Sequence, residues 1–319
     1  MKVSVLVPIY GVEKYIAMCA KGLMLQSYKD VEYIFVNDFT PDDSIDRLME
    51  VIDEYPERKN QVIIVNHTQN LGLAMARQTG LNAATGDAVV FVDSDDYVAP
   101  KMIECLVGEM QRSGASIVDG GYGIVTNGNL TESRMPLHLS DKAYLRTILC
   151  QNVEPNRIWG RLIKKSVFED NNIQFYQGID YSEDFSVMPR LLINANRSWV
   201  DQCLYYYRYD NAQSYTNNIT TRNATSYFKA QELIGNFMLS HSSWKDYSFA
   251  AQLGWVAVWR FARRFNIDKS LAEENFTLKS RHFITRYLEK LMRSDVVPFG
   301  FANFIYMTVR RIYLTFIGH

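Results

Sequence analysis

Cysteine is scarce in this chain: four residues among 319, at positions 19, 105, 150 and 203, with no Cys-x-x-Cys pair. That scatter excludes a zinc ribbon and a disulfide framework, and it fits a reducing cytosol. Histidine is almost as sparse, five residues without His-Glu-x-x-His or other ligand spacing, so none is a persuasive catalytic candidate. Long apolar runs are missing too. No stretch reaches the roughly 18 residues that a spanning helix requires. The nearest, "VVPFGFANFIYMTV" at 296–309, is broken by Pro298 and Gly300 and suits an interfacial segment. The opening "MKVSVLVPIY" has too short an apolar core for a signal peptide and reads as a first strand, which makes a cytoplasmic protein the expectation. A content of 47% hydrophobic and 22% charged residues leaves little room for disorder, and 319 residues allow one core with an appended lobe or two domains.

Net charge is nearly absent, at −1, but the balance conceals an asymmetry. Residues 1–219 hold 20 Lys/Arg against 28 Asp/Glu, whereas 220–319 hold 14 against 7. The halves therefore face different partners. In the first, the short β-rich runs "KVSVLVPIY", "VEYIFVND", "QVIIVNH" and "DAVVFVDSDD" alternate with helix-like segments near 13–26, 43–55 and 73–84. This rhythm predicts an α/β fold, a mostly parallel Rossmann-like sheet with helices on both faces and ligands at the carboxyl ends of the strands. Polar residues gather on that edge: Pro8–Tyr10, Asn37-Asp38, Asn66–His67 and Asp93–Asp96.

In "AVVFVDSDDYVAP" an apolar strand runs straight into Asp93, Asp95 and Asp96. Like charges crowded at a rim suit a cation, and oxygen ligands without His or Cys suit Mg²⁺ or Mn²⁺, which bind through one or two carboxylates plus substrate phosphates. The competing reading makes Asp95 or Asp96 the cap of a helix starting near Pro100.

Four ordered motifs, "VSVLVPIYGVEKYI", "FVNDFTPDDS", "NLGLAMARQTGLNAATGD" and "FVDSDD", resemble the family-2 glycosyltransferases, inverting enzymes with the A-type nucleotide-sugar transferase (GT-A) fold. The resemblance implies a UDP-sugar donor and Mn²⁺ or Mg²⁺. It sets Pro8 and Tyr10 in the opening strand and turn, Asp93 near the ribose, Ser94 beside it, and Asp95 as metal ligand. Asp38 can accept a hydrogen bond from an imide N–H, which uracil offers and cytosine does not, and the resemblance implies uracil recognition there. Phe39 stands where the family often has Gly, so its ring either meets the nucleotide or fills the core. Arg77 either engages phosphate or bridges Asp38 or Asp93 to hold the sheet edge.

Inverting transfer also needs a base for the acceptor hydroxyl. "GIDYSEDFSVMPRLL" holds Glu183-Asp184 at a helix start, similar to the family's Glu-Asp pair, which implies Asp184 as the base, with Asp180 and Glu183 as fallbacks. The competing reading is favourable charge at a helix N-terminus. "WGRLIK" resembles an acceptor-side segment of capsule and lipopolysaccharide transferases, so Trp159 either stacks on a sugar or is core. By the same likeness Tyr207, Arg208 and Ser214 lie near the diphosphate.

Residues 220–319 have helical apolar spacing with Arg260, Arg263 and Arg264 among Trp and Phe. Two domains are therefore expected, a catalytic one over 1–219 and a basic, aromatic helical lobe over 220–319. That lobe either lies on an anionic membrane, placing the protein on the inner face of the cell membrane, or packs on the catalytic domain. The expected partners are a UDP-sugar and a glycan or lipid-linked acceptor, with no nucleic acid. A processive synthase is disfavoured by the absence of spanning helices and of a Gln-x-x-Arg-Trp motif. A sugar nucleotidyltransferase, which would carry a Gly-rich first turn where this chain has "PIYGVEKY", is one alternative. A nucleotide-sugar-binding protein without catalysis is the other.

Overall fold

Valine-rich runs too apolar to face water on either side make the centre of the sheet. In the computed structural model, which describes residues 1–150, 156–210 and 219–317, the strands β1 (Val3–Ile9) and β4 (Ala88–Phe91) are buried along their whole length, and β2 (Val31–Asn37) up to its last residue. That is the pattern of parallel strands covered on both faces. β3 (Val62–Asn66) alternates towards exposure because it forms the sheet's edge. The connecting helices are α1 (Ile16–Met24), α2 (Ser44–Asp53) and α3 (Leu73–Ala83). α2 buries Leu48, Val51 and Ile52, a spacing that turns one face to the core. β1 pairs in parallel with β2 and β4, and β2 with β3, so all four strands deliver their carboxyl ends to one edge.

The sheet then continues in mixed sense. β5 (Tyr97–Val98), α4 (Met102–Ser113), β6 (Ile117–Thr126), β7 (Asn129–Arg134), α5 (Asp141–Leu149), β8 (Arg161–Lys164), α6 (Lys165–Asp170), α7 (Glu183–Leu192) and β9 (Arg197–Arg208) follow in the chain. The strand order is β3-β2-β1-β4-β8-β6-β9-β5, with β7 on β6. β8 is antiparallel to β4 and β6, whereas β9 runs parallel to β6. The expected α/β class with a mostly parallel sheet thus stands, with antiparallel strands closing its far half. Gly114 ends α4 with φ 72°, a left-handed cap that a side chain would strain.

A helical region follows: α8 (Thr221–Ser240), α9 (Trp244–Arg264), α10 (Lys269–Asn275), α11 (Phe283–Arg293) and α12 (Phe299–Ile317). The chain divides into two units, one holding the sheet with α1–α4 and α6, the other α5 and α7–α12. α5 and α7 carry apolar faces, Tyr144, Leu145 and Ile148 on the first and Phe185, Val187 and Leu191 on the second, and bury them among the helices. Tyr227 and Phe261 stack at 4.3 Å within the same unit.

Candidate active site

The loops after β1 and β2 are laced together by short polar side chains. Thr40 Oγ1 accepts from Gly11 N at 2.8 Å and donates to Asp42 Oδ1 at 2.6 Å. Ser44 Oγ also donates to Asp42, at 2.5 Å, and accepts from Val12 N. Asn37 joins in from the strand end, accepting from Thr40 N at 2.9 Å and donating to Asn66 at the end of β3. Pro8 is buried in β1 opposite Val36, and Tyr10 emerges exposed beyond it. Phe39 sits at φ 57°, the left-handed conformation in which glycine is unstrained, and its ring is 58% exposed. The core-filling alternative for Phe39 is therefore overturned: the turn holds the ring out of the interior.

Asp38 is buried, and its carboxylate is already engaged. Oδ1 accepts from Leu71 N at 2.8 Å and meets His67 Nδ1 at 2.7 Å, while Oδ2 accepts from Gly72 N at 2.9 Å. Gly72, at φ 91°, is the residue that lets the chain turn its amide inward and then start α3. His67 Nε2 lies 2.9 Å from Thr79 Oγ1, so an Asp38–His67–Thr79 chain ties β2, β3 and α3 together. The sequence puts His67 on this edge but assigns it no part, since no histidine there has ligand spacing. The available signal was register: Asn37 pairs with Asn66, so Asp38 and His67 are the next residues of two adjacent parallel strands.

Arg77, 2% exposed, reaches from α3 to Asp93, with Nη2 3.0 Å from Oδ1. The bridging alternative for Arg77 is realised through Asp93, and Phe91 lies under the guanidinium at 5.9 Å. Asp93 and Asp95 are half-buried, and Ser94 and Asp96 are buried. Asp96 caps no helix, contrary to one expectation, because α4 begins later, with Lys101 at its cap position and no side-chain cap there. Its carboxylate instead accepts from Tyr205 Oη at 2.6 Å and from Arg208 N at 2.7 Å. Tyr205 Oη also accepts from Asp93 N at 3.0 Å, and Arg208 Nε donates to the Asp95 carbonyl at 3.1 Å. β9 therefore holds the acidic turn from behind. Burial, reinforced by the charges of Asp95 and Asp93, pushes the Asp96 carboxyl well above its usual range. Burial and the same acidic cluster raise the Cys19 thiol, which donates to the Asp93 carbonyl.

Trp159 is half-buried, stacked on Tyr205 at 4.4 Å and on Tyr207 at 5.6 Å, with Tyr122 edge-on at 5.1 Å. It continues the aromatic support behind Tyr205. Ser214 lies outside the described residues.

Glu183 and Asp184 belong to the helical unit, in the first turn of α7, where the helix dipole favours negative charge. Glu183 is buried and Asp184 half-buried, behind a Ser182 whose φ of 71° marks a sharp entry to the helix. Buried Asp180 is committed to an ion pair, its Oδ2 3.1 Å from Arg222 Nη2.

Among the described residues, no three His, Cys, Asp or Glu side chains gather into a metal cage. The acidic turn nevertheless supplies two half-buried carboxylates and no nitrogen or sulfur donor. That set fits a hard cation whose remaining ligands come from phosphate and water.

The family profile described as "Glycosyl transferase family 2" matches residues 4–190. The uncharacterized glycosyltransferase EpsJ of Bacillus subtilis is 33% identical over 223 residues, 67% of this chain and 62% of that one. Glycosyltransferase GlyA of Streptococcus pneumoniae is 28% identical over 65% of this chain and 30% of its own. The match thus spans less than two thirds of either relative. Among solved structures, S. aureus TarS 1–349 in complex with UDP-GlcNAc aligns with a TM-score of 0.65 at 19% identity, covering 98% of this chain and 91% of that one. The mannosyltransferase PcManGT from Pyrobaculum calidifontis, in complex with GDP-Man and Mn²⁺, aligns at 0.56 and 15% identity over 99% and 84%. At these identities the structural likeness speaks for the fold.

Proposed function

The chain belongs to glycosyl transferase family 2, and from that membership we propose that it moves a sugar from a UDP-sugar, with inversion, to a hydroxyl of a lipid-linked glycan acceptor in cell-surface polysaccharide assembly. One observation carries the reading. Where four parallel strands end, a buried arginine, a buried tyrosine and an arginine backbone amide hold an acidic turn in place. Such a rim holds a nucleotide diphosphate in open α/β sheets. The TarS complexes with UDP and with UDP-GlcNAc support a uridine donor over the GDP-Man of the mannosyltransferase.

In this reading Asp38 and the loops around Pro8 and Tyr10 form the base side. Asp93, Ser94 and Arg77 form the ribose and diphosphate side. Asp95 and Asp93 would hold Mn²⁺ or Mg²⁺, whose charge offsets that growing on the departing diphosphate. The acceptor oxygen attacks the anomeric carbon as the bond to the diphosphate breaks, and Asp184 takes the acceptor's proton. Trp159 and Glu183 are assigned to the acceptor side.

UDP release scored over a panel of UDP- and GDP-sugars, with and without Mn²⁺, tests the donor. Release from a UDP-sugar that Mn²⁺ enhances is expected; release confined to GDP-sugars, or none from any donor, would reject the proposal. Asp184→Asn should leave UDP affinity within about twofold and lower kcat by roughly 10²–10⁴. Retained turnover would end the base assignment.

A further inference from the structure

α11 and α12 form a helical hairpin whose outer face is at odds with an aqueous surface. On α11, residues 283, 286, 287 and 290 share one face, and all four are exposed: Phe283 and Tyr287 alternate with Arg286 and Lys290. Leu288 and Met292 occupy the buried face. On α12 only Ala302 and Tyr306 are buried, while Phe304 is 68% and Phe316 76% exposed, with Phe301 and Ile312 beside them. Val296, in the turn between the helices, is 91% exposed. Among the described residues, eight of the seventeen exposed large apolar side chains fall between residues 283 and 316. Scattered single residues would need no explanation, but this concentration marks a contact surface.

The inner face is fixed. Tyr306 donates to the Leu253 carbonyl of α9, and Arg260 Nε donates to Asn303. Arg263 donates to the carbonyls of Leu291 and Val297, pinning the turn. Phe249 of α9 meets both His282 and Tyr313 at 4.9 Å, so the start of α11 lies beside the end of α12. Arg260 and Arg263 thus bind inward, and the surface charge is left to other residues.

That remaining charge names the occupant. Residues 277–317 carry seven Lys/Arg and two acids, and of the seven Arg293 turns inward, over the Trp259 ring and paired with Glu273 and Glu289. Glu289 is buried and accepts from Ser280 N, which leaves Asp295 as the one exposed carboxylate, paired with Lys269 at 3.8 Å. A second copy on this face would set like charge against like. Aromatic side chains alternating with basic ones match the boundary between head groups and acyl chains of an anionic bilayer. No helix among the described residues is long and apolar enough to cross a membrane. We propose that the outer face of the α11–α12 hairpin docks on an anionic lipid surface and lies in its plane. This inference does not depend on the identity of the sugar donor.

Flotation of the full chain with phosphatidylcholine vesicles, with and without phosphatidylglycerol, tests it. Binding is expected with the anionic vesicles and should fall as salt rises. Phe301→Ser/Phe304→Ser/Phe316→Ser should weaken partitioning at least tenfold (~0.8 kcal/mol per buried CH₂ lost). Arg286→Gln/Lys290→Gln should weaken it roughly thirtyfold on anionic vesicles, and leave neutral ones unaffected. UDP affinity and the circular dichroism spectrum of both variants should match the parent, which separates failure of docking from failure of the fold or of the transferase reading. Three results would overturn the proposal: no flotation of the parent, equal flotation of parent and variants, or a parent dimer in light scattering that the triple variant converts to monomer.

Discussion

Replacing Asp38 by Asn separates the uracil recognition that the resemblance implies from a structural role, because the carboxylate accepts three hydrogen bonds from the protein itself. An asparagine offers one acceptor oxygen and one amide. Turned to keep Leu71 N and His67 Nδ1, it sets its NH₂ against Gly72 N; turned the other way, it keeps Gly72 N, sets its NH₂ against Leu71 N, and holds His67 only by switching the ring's tautomer. The better orientation still forfeits one hydrogen bond to a charged group, about 1.5–3 kcal/mol, and leaves a buried N–H facing a donor, about 1–3 kcal/mol more. A loss of roughly 2.5–6 kcal/mol follows, read as a lower urea midpoint of the ligand-free protein by circular dichroism. Asp43→Asn, exposed in the same loop, serves as the control and should stay near the parent. His67→Ala removes one of the same three partners, so a double-mutant cycle with Asp38→Asn should show coupling of about 0.5–3 kcal/mol. If Asp38→Asn unfolds at the parent's urea concentration while losing UDP affinity, the carboxylate serves the base alone and the clamp reasoning is wrong.

Two further outcomes rest on single buried side chains. Burial would raise the Glu32 carboxyl, but hydrogen bonds from Lys2, Ser4 and Thr85 outweigh it and hold the group down to about 2 against an ordinary 4.5. Because the folded value is the lower one, its contribution is complete above pH 4.5 and is lost as pH falls through about 2. Allowing for solvent around Lys2, Glu32→Gln should cost on the order of 2 kcal/mol at neutral pH, with the difference from the parent shrinking in acid melts; a pH-independent difference would count against the linkage. Tyr205→Phe deletes the hydroxyl shared by Asp96 and Asp93 N, so a loss of about 2–4 kcal/mol in urea melts and weaker Mn²⁺-dependent UDP binding are expected. An unchanged melt would remove β9 from the support of the acidic turn.

Much of the sheet was legible because its determinants are local. A run such as Ala88–Phe91 must be buried on both faces whatever surrounds it, and its carboxylates must then surface at the rim. Alternation with short helices fixed the parallel sense of β1–β4, and thereby brought Asp38, His67 and Asp93 to one edge.

What was hidden is held by residues far apart in the chain. Tyr205 and Arg208 reach Asp96 from 109 and 112 residues away, which requires knowing that β9 lies on β6 and β5 rather than elsewhere. The sequence read Arg208 as a neighbour of the diphosphate and gave Tyr205 no part. In the same way α5 and α7 look like connections within a single catalytic region until their apolar faces find the C-terminal helices. Residue types and periodicity determined which side chains are apolar, which strands form and which carboxylates sit at a strand end. Only the tertiary structure decided whose hydrogen bonds those carboxylates accept and which basic residues turn inward, because each depends on pairing order, and no local spacing encodes it.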